Sequence, residues 1–309
     1  MAESCEVAAA LQGWVNPWTQ PGKWYKGNLH THTTGSDGKV SPEQAMAFFQ
    51  SQGYDFLCIS DHERVTPVPT APYPDMITIP GLETGAARTQ PPGCHLGNYH
   101  ILAVGADQPL AAGEGPQEVI DAYAAAGAVV FVAHPYWSDM QPQDMLGLRN
   151  HAGLEVFNTG CDLEVGKGIS SLNWDQLLVR GERWNAIAVD DCHWNPGCFD
   201  AGQGWTMVRT ATLSREAILE ALRAGMYYSS RGPVIEDLRV EEGRLVITCS
   251  PVARITFMCE GAGGYVFDAP FRGTITTAAW PISHRRYVRV EVVDEAGRQA
   301  WTNPIYLGK

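Results

Sequence analysis

The sequence predicts an α/β protein: parallel strand–helix units of barrel type up to about residue 232, then a small antiparallel β region. Three observations carry this. Short apolar runs alternate with helical patterns through the first part of the chain. Imidazoles and carboxylates recur where those runs end, which is where α/β barrels collect their chemistry. Beyond Ser229-Ser-Arg-Gly-Pro233 helical periodicity stops, and only short strands separated by turn signals remain. The expected division is a packing extension over 1–26, a barrel over 27–232 and a β-rich segment over 233–309.

The lead-in contains Trp14, Trp18 and Trp24, aromatics expected to pack across one end of the barrel. The first strand runs into Gly27-Asn-Leu-His30-Thr-His32-Thr-Thr-Gly-Ser-Asp37-Gly38. Residues two apart on a strand face the same way, so both imidazoles can reach one ion. Asp37, in the following turn, can return a carboxylate to the same place. In isolation, the alternative is a hydrated polar strand end.

Ser41-Pro42-Glu43-Gln44 reads as a capped helix start, with Ala45, Phe48 and Phe49 as its apolar face and Gly53 as its stop. Tyr54–Ser60 is the next strand and leads into Asp61-His62. A loop rich in proline (Pro67, Pro69, Pro72, Pro74) has the length of a rim or lid. Met76–Ile79 follows, with Glu83 just beyond it, and then Tyr99–Gly105. His100 precedes its apolar run, so either that strand runs against the others or His100 is a core residue. Pro116–Ala126 is a helix stopped by Gly127, and Ala128–Ala133 ends at His134-Pro135. Gly153–Asn158 is a strand, and Ala186–Val189 ends at Asp190-Asp191-Cys192-His193-Trp194. Asp191 is the better ligand of the acidic pair, because two-residue spacing puts it on the side of His193. By the same argument Asp61 faces away from His62 and serves as a supporting acceptor. Thr206–Thr210 and a helix over Arg215–Ala224, capped by Ser214, complete the barrel. His95, His151 and His284 read as surface or structural residues.

Bulk properties narrow the function. The chain has 309 residues, is 45% hydrophobic and carries 34 acidic against 22 basic side chains, a net charge of −12. That balance disfavours a nucleic-acid surface, and no basic run supports membrane-surface binding. The first residues lack the basic and apolar regions of a signal peptide, and no run reaches membrane-spanning length. The eight cysteines include no Cys-x-x-Cys, which fits a reducing, cytoplasmic setting. Cys192 and Cys198 around His193 leave room for a separate zinc site, although their spacing is irregular.

Taken in order, His30-x-His32, Asp61-His62, His134-Pro135 and Asp191-x-His193 resemble the four motifs of the polymerase and histidinol phosphatase (PHP) superfamily. The resemblance spans about residues 24–231 and implies a distorted (β/α)7 barrel holding two or three divalent ions. It further implies His100 as a ligand and Glu83 as a bridging carboxylate, with a metal-bridging water held by Glu83 and Asp191. The full implied ligand set is His30, His32, Asp37, His62, Glu83, His100, His134, Asp191 and His193. At the position of Asp37 many members have a histidine and others an aspartate. Mixed imidazole and carboxylate donors suit Zn²⁺, Fe²⁺ or Mn²⁺. A narrower likeness, in Trp24–His32, Gly53–Leu57 and Trp301-Thr-Asn-Pro-Ile-Tyr306, is to the branch named for carbaryl hydrolase, which acts on a carbamate ester.

The expected function is hydrolysis of phosphate esters, acting on a small anionic or ester substrate. Carbamate or carboxyl ester hydrolysis and a non-catalytic, metal-stabilised binding module are the alternatives. Arg64 and Arg231 are candidate phosphate contacts, and Trp137 and Trp194 candidate walls for a leaving group.

Overall fold

The computed structural model describes residues 11, 13–68, 75–89 and 96–307. Seven strands form the barrel: β1 (Lys23–Asn28), β2 (Phe56–Ile59), β3 (Ile77–Ala86), β4 (Tyr99–Val104), β5 (Val129–Val132), β6 (Gly153–Asn158) and β7 (Asn185–Val189). β1, β2 and β3 are parallel, as are β5, β6 and β7. β4 runs antiparallel to both its neighbours. The ring closes through main-chain hydrogen bonds from Asp191 to the His30 carbonyl (2.9 Å) and from His32 to the Cys192 carbonyl (3.1 Å). Antiparallel strands β8 (Trp205–Thr210) and β9 (Tyr227–Ser230) continue from β1. The hydroxyls of Thr206 and Ser229 donate to the Ala188 and Ala186 carbonyls of β7, sealing the other end of the seam.

The helices follow from local chemistry. In α1 (Pro42–Ser51) Ser41 and Gln44 form the expected reciprocal cap, and Ala45, Met46 and Phe49 are buried. The second helix, α2 (Pro116–Ala125), buries Val119, Ile120 and Tyr123. A single turn, α3 (Pro142–Met145), precedes β6, while α4 (Thr159–Val165) and α5 (Ser171–Leu178) lie between β6 and β7. α3 and α4 carry too few buried positions for a periodic pattern, and α4 takes its cap from Asn158, the last residue of β6, whereas α5 buries Trp174, Leu177 and Leu178 along one face. The last helix, α6 (Arg215–Arg223), is capped by Ser214 and buries Ile218, Leu219, Ala221 and Leu222.

The remaining strands are β10 (Ile235–Glu241), β11 (Arg244–Val252), β12 (Arg254–Met258), β13 (Gly264–Asp268), β14 (Ile275–Pro281), β15 (Tyr287–Val293), β16 (Gln299–Thr302) and β17 (Ile305–Tyr306). β10, β11 and β14 form a separate three-stranded sheet. The others do not stand apart from the barrel: β16 pairs with β9, so β12, β13, β15 and β16 extend the barrel sheet. Leu238, Ile247, Phe257 and Val290 fill the space between the two sheets. The tryptophan-rich lead-in packs on this β core, and Trp14 and Trp18 share a cavity with Asn185 at the start of β7. Trp18 and Trp24 lie 5.9 and 5.1 Å from Tyr228, and Trp18 Nε1 donates to the Ile235 carbonyl. Pro69, Pro72, Pro74 and His95 fall outside the described residues. His151 stacks on Trp184 at 3.6 Å, as a structural histidine would. No helix among the described residues is long and apolar enough to cross a membrane.

Candidate metal centre

β1 delivers His30 and His32 to the mouth of the barrel, where both are fully buried. Gly38 lets the following turn fold back on them, since a Cβ there would sit 2.5 Å from the His32 carbonyl. Asp61 holds this turn, accepting from the Thr33 amide (2.7 Å), the Thr33 hydroxyl (2.6 Å) and the Ser36 hydroxyl (2.8 Å). β3 supplies Glu83, β5 leads into His134, and β7 leads into Asp191 and His193. His100 reaches the same end because β4 is antiparallel: its first residues lie where its neighbours finish, and His100 faces Gly85 of β3.

The donors fall into three groups. In the first, His30 Nε2 lies 3.1 Å from His32 Nε2, 3.3 Å from Glu83 Oε2 and 3.2 Å from Asp191 Oδ1. His32 Nε2 lies 3.4 Å from Glu83 Oε2 and 2.9 Å from Asp191 Oδ1. Ligands about 2.0–2.1 Å from a tetrahedral ion are about 3.3 Å from one another, so these four atoms have the spacing of a coordination shell. In the second group, Glu83 Oε1 faces His100 Nδ1 at 2.8 Å and His134 Nε2 at 3.1 Å. Glu83 thus divides its two oxygens between two positions. The third group is looser: Asp37 Oδ2 is 3.7 Å from His62 Nε2 and 3.4 Å from His193 Nε2. Asp37 therefore joins His62 and His193 on the half-exposed side of the centre and reaches the first motif through His32 Nδ1, 3.7 Å from its Oδ1, and not through His30.

Buried polar atoms support the fit to metal. Glu83 Oε2, Asp191 Oδ1 and His32 Nδ1 lack a hydrogen-bond partner although buried. Such atoms are rare in folded proteins unless water or an ion serves them. Neighbouring groups aim the ligands. Glu155 Oε1 contacts His30 Nδ1 at 2.6 Å, which leaves Nε2 directed at the centre. Glu155 Oε2 accepts from the His134 amide at 2.8 Å and from Asn158 Nδ2, and Asn158 Nδ2 also donates to Asp191 Oδ2. His193 Nδ1 faces the Asp191 carbonyl at 3.1 Å, and Asp200 accepts from the His193 and Trp194 amides. His134, Asp191 and Trp194 all have positive φ, the backbone strain that accumulates at functional sites. Asp190 faces away, as expected, with five donors on its carboxylate: Asn28, Thr159, Gly202, Gln203 and Gly204.

Glu155 is the important residue that the sequence reading passed over. Its signal was a lone acid inside the otherwise apolar run Gly153–Phe157, which burial obliges to find a partner. Glu155→Gln is expected to weaken metal binding about 10- to 100-fold, because His30 loses the charged group that orients it. Competition against a coloured chelator, with circular dichroism confirming the fold, measures this. Unchanged affinity would assign Glu155 a packing role only.

Electrostatics set the pH behaviour. Burial pushes the His32 pKa down, but the Asp191 and Glu83 carboxylates close to its ring outweigh it and raise it to about 9. His30 is also raised, with burial opposed by the charges of Asp191, Glu83 and Glu155. Burial raises Glu83, yet the charge of His30 and hydrogen bonds from His100 and His134 hold it well below its usual range. An ion requires neutral imidazole, so loading the metal-free protein at pH 7 must expel protons. Affinity should then rise with pH through about 9, where half of the His32 rings have lost the proton, and level off only above it. Calorimetry in buffers of differing ionisation enthalpy should show net proton release at pH 7; none would contradict a protonated His32.

Beside the donors lies a cavity of about 380 Å³, walled in part by Trp137. Trp137 stands 5.0 Å from His134 and 6.0 Å from His100, and its Nε1 donates to Glu164 Oε2 at 3.2 Å. The other expected substrate contacts point elsewhere. Arg64 donates to the Gly35 carbonyl at 3.0 Å, and Arg231 lies over the Phe157 ring, 3.7 Å from Asp162. Trp194 packs on Phe48 and Phe49 and donates to the His32 carbonyl, so it braces the first motif. None of these three is among the cavity's lining residues. Cys192 is buried and Cys198 lies at the cavity wall, and no cysteine belongs to any of the three donor groups. The separate zinc site is thus not formed among the described residues.

No family model matches the sequence, and no curated protein matches it. Solved structures do. A two-domain protein from Bacteroides vulgatus, described as containing a predicted PHP-like metal-dependent phosphoesterase, is 15% identical with a TM-score of 0.51. The match covers 88% of this chain and 91% of that one. A proposed metal-dependent phosphoesterase from Bifidobacterium adolescentis is 14% identical over 55% of this chain and 89% of its own, with a TM-score of 0.38. An amidohydrolase from Chromobacterium violaceum, solved with sulfate and no metal, is 13% identical over 65% and 96%, with a TM-score of 0.43. The first of these likenesses shows a shared fold over most of the chain.

Proposed function

We propose that this chain, which has the PHP-like barrel fold, is a metal-dependent hydrolase of phosphate esters. The observation that carries the reading is Glu83, whose two oxygens serve two adjacent donor groups at 2.8–3.4 Å. Zn²⁺, Fe²⁺ or Mn²⁺ suits these donors, with His30, His32, Glu83 and Asp191 holding one ion and Glu83, His100 and His134 a second. Asp37, His62 and His193, with His32, form the looser candidate for a third. Bound ions would supply Lewis acidity to the phosphoryl group and lower the pKa of water towards neutrality. The protein's own part is orientation: Glu155 and the Asp191 carbonyl fix the His30 and His193 rings, and the cavity beside Trp137 accommodates the leaving group. The six described cysteines are free thiols, in keeping with a cytoplasmic setting.

A second reading keeps the same centre and directs it at the carbonyl of a carbamate or carboxyl ester. It is favoured by the cavity wall, which among its described residues has no lysine or arginine to receive phosphate oxygens. Metal-loaded protein should be assayed against aryl phosphate monoesters, phosphodiesters and naphthyl carbamates. Turnover of phosphates supports the first reading, and turnover of carbamates alone replaces it with the second. Inertness towards the whole panel, with metal bound, would favour a non-catalytic module.

A further inference from the structure

Beyond the metal donors, the cavity is walled by Trp137, Cys161, Glu164, Asn195, Cys198 and Asp200. It is acidic and aromatic, with no basic residue. The segments 1–10, 12, 69–74 and 90–95 contain no lysine or arginine, and Lys309 is the one lysine or arginine outside the described residues. Nearby arginines are committed elsewhere. Arg88 is buried, pairs with Asp144 and donates to the Ser138 carbonyl at 3.0 Å, while Arg64 and Arg231 have the partners given above.

An anionic reacting group can therefore be received by the metal centre alone, and a second anionic group on the substrate would face Glu164 and Asp200. A cation meets the opposite situation. Glu164 lies on α4, exposed, with Oε2 bound to the Trp137 indole N–H; among the described residues no hydrogen bond or ion pair engages its other oxygen. Glu164 thus brings a carboxylate to the cavity beside the Trp137 ring, so a cation there meets a negative charge and can lie over an aromatic face.

We infer that the substrate is an ester carrying an ammonium or quaternary ammonium group, received by Glu164 and Trp137 while the ester lies at the metal centre. The inference rests on the hydrolase reading and specifies its substrate. The reaction needs no other reactant: water adds to phosphorus, the P–O bond to one alcohol breaks, and that alcohol departs with a proton.

The test compares two phosphodiesters of p-nitrophenol, one with choline and one with its neutral isostere bearing a tert-butyl group in place of trimethylammonium. The choline diester should be preferred about tenfold in kcat/KM, expressed mainly in KM. That ratio should collapse towards one in Glu164→Gln and shrink in Trp137→Leu. Equal turnover of the two diesters by the wild type would overturn the inference and leave the hydrolase reading intact. A preference that survives both substitutions would overturn the assignment to Glu164 and Trp137. Turnover of other esters but neither diester would overturn the inference alone; inertness towards every ester would remove both.

Discussion

Replacing Glu83 with glutamine is expected to lower kcat/KM by about 10³-fold and to remove at least one bound ion per chain, with the fold retained. Glu83 is 1% exposed, and its oxygens lie 3.3 Å from His30, 2.8 Å from His100 and 3.1 Å from both His62 and His134. Among the described residues, Glu83 is the carboxylate that belongs to both the first and second donor groups. Glutamine keeps the volume but removes the charge, and with it the attraction that would balance two adjacent dications. Lewis-acid stabilisation is worth several kcal/mol, and each 1.36 kcal/mol is tenfold in rate, which gives about 10³. Metal analysis of the purified variant and steady-state kinetics check both parts. A variant retaining all its metal and more than a tenth of wild-type activity would show that Glu83 does not bridge.

Trp301→Ala is expected to destabilise the whole chain by about 3–5 kcal/mol, the usual range for deleting a large buried aromatic. Trp301 sits on β16 in the C-terminal region, yet its side chain is 1% exposed within the barrel's own apolar core. It stacks on Phe157 of β6 with centroids 6.3 Å apart and donates through Nε1 to Glu291 at 2.9 Å. With β16 hydrogen-bonded to β9, one melting transition should lower for barrel and tail together. Phe271→Ser, at a side chain 91% exposed, is the control and should change little. Two separate transitions, with only the one assigned to the tail affected by Trp301→Ala, would show that the regions are energetically independent.

Much of the centre was legible because it is written in local patterns. His30 and His32 alternate on one strand, and the His62, His134 and Asp191-x-His193 positions each follow an apolar run that burial makes a strand. The caps at Ser41 and Ser214 are equally local, since each bonds a backbone amide three residues away. His100 shows the limit of such reasoning. Its placement before an apolar run allowed two outcomes, and the antiparallel pairing of β4 with β3 and β5 decided between them. Arg64, Arg231 and Trp194 were plausible by proximity to the motifs, but proximity in sequence does not determine which way a side chain leaves its loop.

By itself, then, the sequence determined the strand–helix rhythm, the change to β structure after Pro233 and the identity of the residues at the strand ends, because each depends on residues within a few positions of one another. Tertiary structure alone decided the direction of β4, the sharing of Glu83 between two donor groups, the support from Glu155 and the continuity of the tail with β9. All four depend on which distant strands pair and in what register, and that is settled by burial across the whole fold. The His30–Glu155 contact joins residues 125 positions apart, so no local pattern could express it.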